Sequence, residues 1–377
     1  MKTLVCGDVH LTNYGMFNEP TDDPAVGSRL SYILKALDDF FAYGKKKNIN
    51  TYIINGDLFD SRQSDNPTTL THIRKRFITS FRNMTNDGSL VYLNIGNHDE
   101  LTRSITPNSL EDFELYSTDN HKIKVINTVT PIQIDSNIEL FFVPYDEDIK
   151  GTKEAIKDYL YNHPFNGSVN VFAHLGVTGA TQGRWNHRLS GAFNLDDLGW
   201  NVPNVKSIAL SHYHNRQSLK KEGIKDAWYI GDLTALNFND IGSNGLGVSR
   251  GFDEIDLDTG AHKFVDLTQA PYNIPTFNQI NLDTEDSFDL ATQVDDHSYY
   301  KISCKSKDTY ERLSKELEEN SVSSRVQLIL LPQEQRVTID VDANANDTEL
   351  VSKYCDLNYP EVKDKALDYL RKAKEAE

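Results

Sequence analysis

The chain has 377 residues, an ordinary globular composition and a net charge of −17. Such a length allows a large core domain with a smaller one beside it. The acidic charge excludes a protein whose whole surface binds nucleic acid, because phosphates attract basic surfaces. The apolar runs are far shorter than the ~18 residues that a membrane span needs, so we expect no transmembrane helix.

The first hundred residues alternate between predicted strands and predicted helices. Runs rich in strand formers predict three strands, at residues 3–6, 52–54 and 90–93. Apolar residues at helical spacing predict a first helix, with its apolar face over 30–41 and the lysines at 45–47 at its C-terminal end. They predict a second helix with Asn66 as its cap and Pro67 in its first turn, ended by Asn-Asp-Gly at 86–88. Open α/β sheets bind ligands at the carboxyl ends of their strands, so a functional site is expected there.

The rest of the chain predicts a second sheet and then a smaller unit. Strands of the second sheet are predicted at residues 125–126, 132–134 and 139–143. A helix over 153–161 follows, and further strands are predicted at 169–173, 207–210, 229–231, 251–257 and 262–265. From about residue 273 a helix over 309–319 lies among predicted strands at 277–282, 299–304, 326–331 and 336–341. We therefore expect an α/β domain over 1–271, a small α+β domain over 272–345 and a helical tail over 346–377.

Five of the predicted strands end in Asp, Asn or His. The residues concerned are Asp8 and His10, Asp57, Asn97 with His98 and Asp99, His174, and His212 with His214. Any one of these could be a polar turn, and His174 could be a core histidine bonded to backbone. Five such strand ends together indicate a metal site. Asp60 is open to two interpretations, as a group that supports a ligand or as a turn cap.

These donors define the kind of chemistry. Carboxylate, imidazole and amide ligands suit Mn²⁺, Fe²⁺ or Zn²⁺ better than an ion that prefers thiolates. Two such ions about 3.5–4 Å apart can share one carboxylate and act together on a phosphoryl group. His98, if it lies beside the ions, could protonate a leaving oxygen. Asp99 could then hold the His98 imidazole in the right tautomer.

The order of these motifs resembles that of calcineurin-like metallophosphoesterases: Asp-x-His, Gly-Asp-x-x-Asp, Gly-Asn-His-Asp, His and His-x-His. A fuller resemblance is to the SbcD-type DNA nuclease subunits of bacteria and phages. It is carried by Gly-Asp-Leu-Phe-Asp-Ser-Arg at 56–62 and by Tyr-Ile-Gly at 229–231, leading to Phe-Asn-Asp at 238–240 and Gly-Phe at 251–252. It covers about residues 1–267. Ser211 departs from the pattern, since the family usually has glycine before His-x-His.

The resemblance implies an α/β fold: a two-sheet metallophosphoesterase sandwich flanked by helices, with a small α+β capping domain and a C-terminal helical tail. It implies two divalent metal ions, with Mn²⁺ expected. The ligands would be Asp8, His10 and His214 for the first ion, Asp57 for both, and Asn97, His174 and His212 for the second. His98, with Asp99, would act on the leaving group. The helical tail resembles the family's ATPase-binding segment only in order and pattern.

The implied activity is that of a DNA nuclease in replication, recombination or repair, an exonuclease on duplex ends and an endonuclease on single strands. Its implied partners are an SbcC-like ATPase and a second copy of the chain, through helices near the N-terminal motifs. Arg62, Arg103 and Arg184 are candidate DNA contacts. One alternative is a stand-alone phosphatase or phosphodiesterase, against which the residues after Pro271 count. Another is a non-enzymatic protein with a vestigial site, although every expected ligand position is filled.

The location of the protein is predicted from its cysteines and its first residues. The three cysteines, Cys6, Cys304 and Cys355, match neither a zinc knuckle nor a disulfide framework. The chain starts directly with a predicted strand, so we expect no targeting leader. Together these features favour the cytoplasm, which would be the host's if a phage encodes the protein.

Overall fold

A computed structural model describes residues 1–60, 67–100, 107–162, 165–183, 187–188, 191–219, 226–283, 288–295, 297–319, 323–332 and 346–375. The chain forms two compact units, Met1–Leu330 and Leu331–Glu377. The predicted division into an α/β domain, a small α+β domain and a helical tail stays a prediction. The predicted cap Asn66 and the predicted strand at 336–341 lie outside the described residues.

The strands, in chain order, are β1 (Lys2–Cys6), β2 (Thr51–Asn55), β3 (Ser89–Asn94), β4 (His121–Ile126), β5 (Thr130–Gln133), β6 (Ile138–Val143), β7 (Ser168–His174), β8 (Thr181–Gln182), β9 (His187–Arg188), β10 (Val205–Ser211), β11 (Gln217–Ser218), β12 (Asp226–Tyr229), β13 (Gly251–Asp256), β14 (His262–Asp266), β15 (Phe277–Leu282), β16 (Tyr299–Cys304) and β17 (Val326–Leu330). The α-helices are α1 (Ser28–Lys47), α2 (Pro67–Met84), α3 (Ile149–Lys157), α4 (Leu290–Gln293), α5 (Lys307–Glu319), α6 (Asp347–Asn358) and α7 (Lys363–Glu375).

The first large sheet has the strand order β14-β13-β1-β2-β3-β4. Strands β1 to β4 run parallel to one another, and the β13–β14 hairpin adds to the outer side of β1 in antiparallel fashion. Residues 125–126 were expected in the second sheet, but β4 pairs with β3, with Asn94 opposite Ile126. The strand begins earlier, at His121, and Ile123 packs into the core beneath the helices. The two apolar residues at 125–126 could not reveal that a strand beginning at His121 pairs with β3.

The second large sheet has the order β11-β12-β10-β7-β6-β5. Its four inner strands are parallel, and β5 and β11 pair in antiparallel fashion at the two edges. Ile156 of α3, together with Leu198 and Trp200, covers its outer face. The predicted helix over 153–161 corresponds to α3, which begins four residues earlier and ends in a π turn at Asp158–Asn162.

A shared apolar core joins the two large sheets. Side chains of β1, β2 and β3 meet those of β6, β7 and β12, with contributions from Val5, Ile53, Tyr92, Phe142, Phe172 and Trp228. On the other face of the first sheet, α1 and α2 bury Phe40, Phe41, Phe77 and Phe81. Full burial of one such side chain contributes about 1.5–3 kcal/mol. The fold is therefore the α/β sandwich of two sheets flanked by helices, and this prediction is confirmed.

The smaller elements follow the sandwich in the chain. Strands β15, β16 and β17 form a parallel sheet, which we call the small sheet, and Leu313 of α5 packs on it. Phe277 and Tyr299 of the small sheet pack on Phe17 and Phe238 of the sandwich. In the second unit, α6 begins with a capping box. None of the described helices combines the length and the apolar character needed to cross a membrane.

Candidate metal centre

The carboxyl ends of five parallel strands bring the polar side chains together. In the first sheet these are the ends of β1, β2 and β3, and in the second those of β7 and β10. Asn55, at the end of β2, ties the two sheets together at this edge. Its Nδ2 donates to the carbonyl oxygens of Ala173 at 3.0 Å and Ala209 at 3.3 Å. The loops that carry the predicted ligands therefore begin at strand ends that are held together by hydrogen bonds.

Unusual backbone conformations aim several of these side chains. Positive φ angles occur at Asp8 (46°), His10 (51°), Asp57 (53°) and His212 (101°). For residues other than glycine such angles cost on the order of 1–3 kcal/mol each, and they cluster at functional sites. The Asp57 carbonyl helps to hold the first loop, since it accepts the backbone N–H of His10 at 2.9 Å. Strain at four neighbouring positions indicates a site, not a set of ordinary turns.

The seven predicted ligands lie close together. Two groups offer atoms within 4.8 Å of one another, Asp8 with His10 and His214, and Asp8 with Asp57 and His174. Asn97 and His212 complete the cluster. Asn97 Oδ1 lies 2.8 Å from His212 Nδ1 and 3.1 Å from Nε2 of His174, which belongs to the second group. Backbone N–H of His212 donates to Asp8 at 3.0 Å.

His10 shows that this cluster fits cations. Its ring is 1% exposed, and neither ring nitrogen has a hydrogen-bond partner among the described residues. Nδ1 lies 3.3 Å from an Asp60 oxygen and Nε2 lies 3.8 Å from an Asp57 oxygen. A buried imidazole without a hydrogen bond is costly unless something else binds it. With Asp57 between the two halves of the cluster, the donors suit two divalent ions.

The ligands also shift each other's pKa values. Burial alone would raise the pKa of Asp57, but the neighbouring His174 and His10 lower it. Burial opposes the charge on His174, yet Asp57 and Asp8 raise its pKa to about 9. Burial and the charge of His174 lower the pKa of His212 to about 3. Metal binding at such a site competes with protons, so it will release them.

His98 and Asp99 have different surroundings from those expected. The backbone N–H of His98 donates to Asp57 Oδ1 at 2.8 Å, and its Nδ1 hydrogen-bonds the Asp60 carbonyl. Asp99 was expected to hold the His98 imidazole. Its carboxylate instead accepts the backbone N–H groups of Gly96 at 3.0 Å, Phe59 at 3.2 Å and Leu58 at 3.3 Å. Asp99 therefore braces the two loops, and the Asp60 carbonyl orients the imidazole.

His98 also lies beside two of the predicted ligands. It offers an atom within 4.8 Å of those of His10 and Asp57, and its ring centroid is 4.9 Å from that of His10. A carbonyl oxygen can only accept, so His98 Nδ1 carries the proton in that contact. Nε2 is then the nitrogen that can exchange a proton with a substrate.

Two further carboxylates were missed from the sequence. Asp232 and Asp240 form a group with His214 whose atoms lie within 4.8 Å of one another. A signal for Asp232 was present, because Gly231-Asp232 follows a strand as Gly7-Asp8 and Gly56-Asp57 do. Asp240 ends the Phe-Asn-Asp stretch that carries part of the nuclease resemblance, but that resemblance assigned it no role, and its partner His214 lies 26 residues away in the chain.

The candidate DNA contacts stay predictions. Arg62, Arg103 and Arg184 lie outside the described residues.

The fold and the ligand cluster define a metallophosphoesterase. The sequence model of calcineurin-like phosphoesterases matches residues 1–216, more than half of the chain. The chain belongs to this family, and it is a metal-dependent phosphoester hydrolase. No curated protein matches it in sequence.

Solved structures give more distant likenesses. One is a dimetal phosphatase from Danio rerio, with a TM-score of 0.44 and 10% identity over 68% of this chain and 92% of that one. Another, from Staphylococcus aureus, is assigned as a 5'-nucleotidase and was solved with alpha-ketoglutarate. Its TM-score is 0.39, with 12% identity over 70% of this chain and 52% of that one. Neither likeness indicates a substrate.

Proposed function

We propose that the protein is a two-metal DNA nuclease of the SbcD type, which hydrolyses phosphodiester bonds with Mn²⁺ as its preferred ion. The supporting observation concerns residues 229–240, one of the stretches that resemble these nucleases. Asp232 and Asp240, both in this stretch, contact His214 at 3.2 and 3.3 Å. The nuclease-like stretch thus adjoins the metal ligands.

The proposed mechanism assigns a task to each group. When bound, the ions would supply charge neutralisation at the phosphoryl group and a water of lowered pKa. Asp8, His10, Asp57 and His214 would hold one ion, and Asp57, Asn97, His174 and His212 the other. In its imidazolium form, with a proton on each ring nitrogen, His98 would give the Nε2 proton to the leaving oxygen and become the neutral imidazole, whose Nδ1–H still donates to the Asp60 carbonyl.

The proposed partners account for surfaces that a small-molecule enzyme would not need. An SbcC-like ATPase would bind the C-terminal helices, on which Leu357 is 62% and Tyr369 63% exposed. A second copy would pack against α2 and the neighbouring segment, where Leu115 is 84% exposed. The ATPase would also provide much of the positive surface that a chain of net charge −17 lacks. The cytoplasm is the proposed location.

The decisive experiment compares substrates. End-labelled duplex and single-stranded DNA would be incubated with Mn²⁺ beside bis(p-nitrophenyl) phosphate, using the wild type and Asp57→Asn. DNA cleavage that needs Mn²⁺ and disappears in Asp57→Asn supports the nuclease. Turnover of the ester with intact DNA, both with and without an added SbcC-like ATPase, would overturn it.

A stand-alone phosphatase or phosphodiesterase is the second candidate. One observation favours it: a cavity of about 430 Å³ beside His212, lined by Tyr145, Asp146 and Glu147 among others. Two acidic side chains would repel a DNA backbone but could bind amino groups of a small substrate. The same substrate comparison separates the two candidates.

A further inference from the structure

The Nδ1 of His214 faces two carboxylates, whereas the Nδ1 of His10 faces one, that of Asp60. His214 Nδ1 lies 3.2 Å from Asp232 Oδ2 and 3.3 Å from Asp240 Oδ1. Both carboxylates are buried, at 0% and 4% exposure. A carboxylate accepts hydrogen bonds and cannot donate them. The proton on His214 therefore belongs on Nδ1, and Nε2 is left for the ion.

Arg250 holds this pair of carboxylates in place. Its guanidinium group is 1% exposed and lies 4.0 Å from Asp232 Oδ2. It donates to the carbonyl oxygen of Asp240 at 2.6 Å, to Asn215 Oδ1 at 3.1 Å and to the carbonyl oxygen of His214. A buried cation so close to Asp232 argues against a third metal ion between the two carboxylates. The group is a support for His214.

We propose that Asp240 and Asp232 are positioning residues that fix the tautomer of His214, and that Asp240 is the dominant one. The inference rests on the metal centre of the proposed function, but not on DNA as the substrate. Outer partners of metal-binding histidines commonly act in this way and change metal affinity by about 10–100-fold.

The two carboxylates differ in whether an amide in their place could choose its orientation. Asp240 Oδ2 accepts the backbone N–H groups of Leu236 at 2.9 Å and Asn237 at 3.0 Å, while Oδ1 faces His214. In Asp240→Asn the amide oxygen would stay with those two donors. The NH₂ group would then point at Nδ1 and donate to it, which moves the ring proton to Nε2 and blocks the ion.

Asp232→Asn provides the matched control. It removes the same charge at nearly the same distance from His214 Nδ1. Neither Asp232 oxygen has a hydrogen-bond partner among the described residues, whereas Asp240 Oδ1 hydrogen-bonds His214 Nδ1. The new amide could therefore turn its oxygen toward Nδ1 and preserve the tautomer.

The test is Mn²⁺ binding to the full chain, measured by calorimetry and by the electron paramagnetic resonance signal of paired Mn²⁺. We expect Asp240→Asn to lose about 10–100-fold in affinity for one ion. The other ion should remain, with the signal of isolated Mn²⁺, while Asp232→Asn should change much less. Equal losses in both variants would show that charge alone matters and would overturn the proposal. Three bound ions in the wild type and two in the variants would assign the carboxylates to a third ion.

A second measurement uses the wild type alone, in case Asp240→Asn does not fold. In Zn²⁺-loaded protein labelled with ¹⁵N at histidine, His214 should show a protonated Nδ1 and a metal-shifted Nε2. A metal-shifted Nδ1 would contradict the inference. Neither readout involves cleavage, so a failed nuclease assay and a failed inference remain distinguishable.

Discussion

At the scale of single residues, the site depends on backbone groups as much as on side chains. The Asp60 carbonyl orients the His98 imidazole, and the Asp99 carboxylate accepts hydrogen bonds from three backbone N–H groups. Sequence patterns identify side chains that could bind ions. They do not identify a carbonyl group that orients an imidazole, because every residue carries one.

His98→Ala tests the proton-transfer role. Removing a general acid lowers the rate by about 10²–10⁴-fold. We expect such a loss for DNA, whose leaving alkoxide needs a proton, and a much smaller loss for bis(p-nitrophenyl) phosphate, whose nitrophenolate leaves unprotonated. The metal content of Mn²⁺-loaded protein should stay unchanged. His72→Ala, at a half-exposed histidine outside the site, is the control. If metal content falls together with the rate, His98 is a ligand.

At the scale of elements, the departure at Ser211 has a structural reason. Ser211 ends β10, and its Oγ accepts from Asn55 Nδ2 at 3.2 Å. A Cβ atom added to Gly7 would lie 2.0 Å from that Oγ. The serine therefore occupies space that the glycine after β1 leaves open, and the two strand ends fit each other. The ligands on either side stay in place.

A double-mutant cycle tests this fit. Gly7→Ala should destabilise the protein by about 1–3 kcal/mol, because it overfills a packed site. Ser211→Gly in the same chain should recover much of that free energy of unfolding, measured by urea denaturation. Coupled residues in contact interact by about 0.5–3 kcal/mol. Strictly additive effects would show that the two positions do not compete for space.

The His262 cluster also joins two elements, because β14 belongs to the first sheet and β12 to the second. The cluster consists of His262 and the side chains around its ring. The His262 ring stacks on that of Trp228, with centroids 3.7 Å apart. Its nitrogens lie 3.3 Å from Asp253 and 3.1 Å from Asp226, with Arg216 3.5 Å away. Burial opposes the charge on the ring, but the two carboxylates outweigh it and raise the pKa of His262.

This cluster predicts a pH dependence. A raised pKa in the folded state stabilises the protein fully below the unfolded value of about 6.5, and the effect fades as pH rises through the folded pKa. The free energy of unfolding lost in His262→Gln should therefore be largest near pH 6 and shrink toward pH 9. Denaturant titrations across that range measure it. His121→Gln should show the opposite slope, since burial lowers the pKa of His121.

The sequence predicts the elements better than it predicts their neighbours. Helical spacing of apolar residues located α1 and α2, and runs of strand-forming residues located the strands that end at the ligands, because each of these patterns is local. The pairing of β4 with β3 and the contact of Asp240 with His214 depend on residues far apart in the chain. Such contacts arise from packing in three dimensions, which no short window of sequence contains.

At the scale of the whole molecule, the site and the C-terminal helices belong to different units. Every described ligand candidate lies in Met1–Leu330, and α6 and α7 lie in Leu331–Glu377. Each unit is compact in its own contacts. Hydrolysis and the proposed binding of an ATPase should therefore be separable.

A chain that ends at residue 330 tests this separation. We expect it to bind Mn²⁺ and to hydrolyse bis(p-nitrophenyl) phosphate as the full chain does, since no ligand is removed. Calorimetry and a steady-state assay, with the full chain in parallel, would measure both properties. Loss of metal binding in the shortened chain would mean that the second unit supports the site.

The loop from Leu236 to Asp240 serves two neighbours at once. Phe238 packs on Phe277 of the small sheet with centroids 4.9 Å apart, and Asp240 contacts His214. Any linkage between metal binding and attachment of the small sheet through this loop would be reciprocal. Metal binding should then slow amide exchange in β15, measured with and without Mn²⁺.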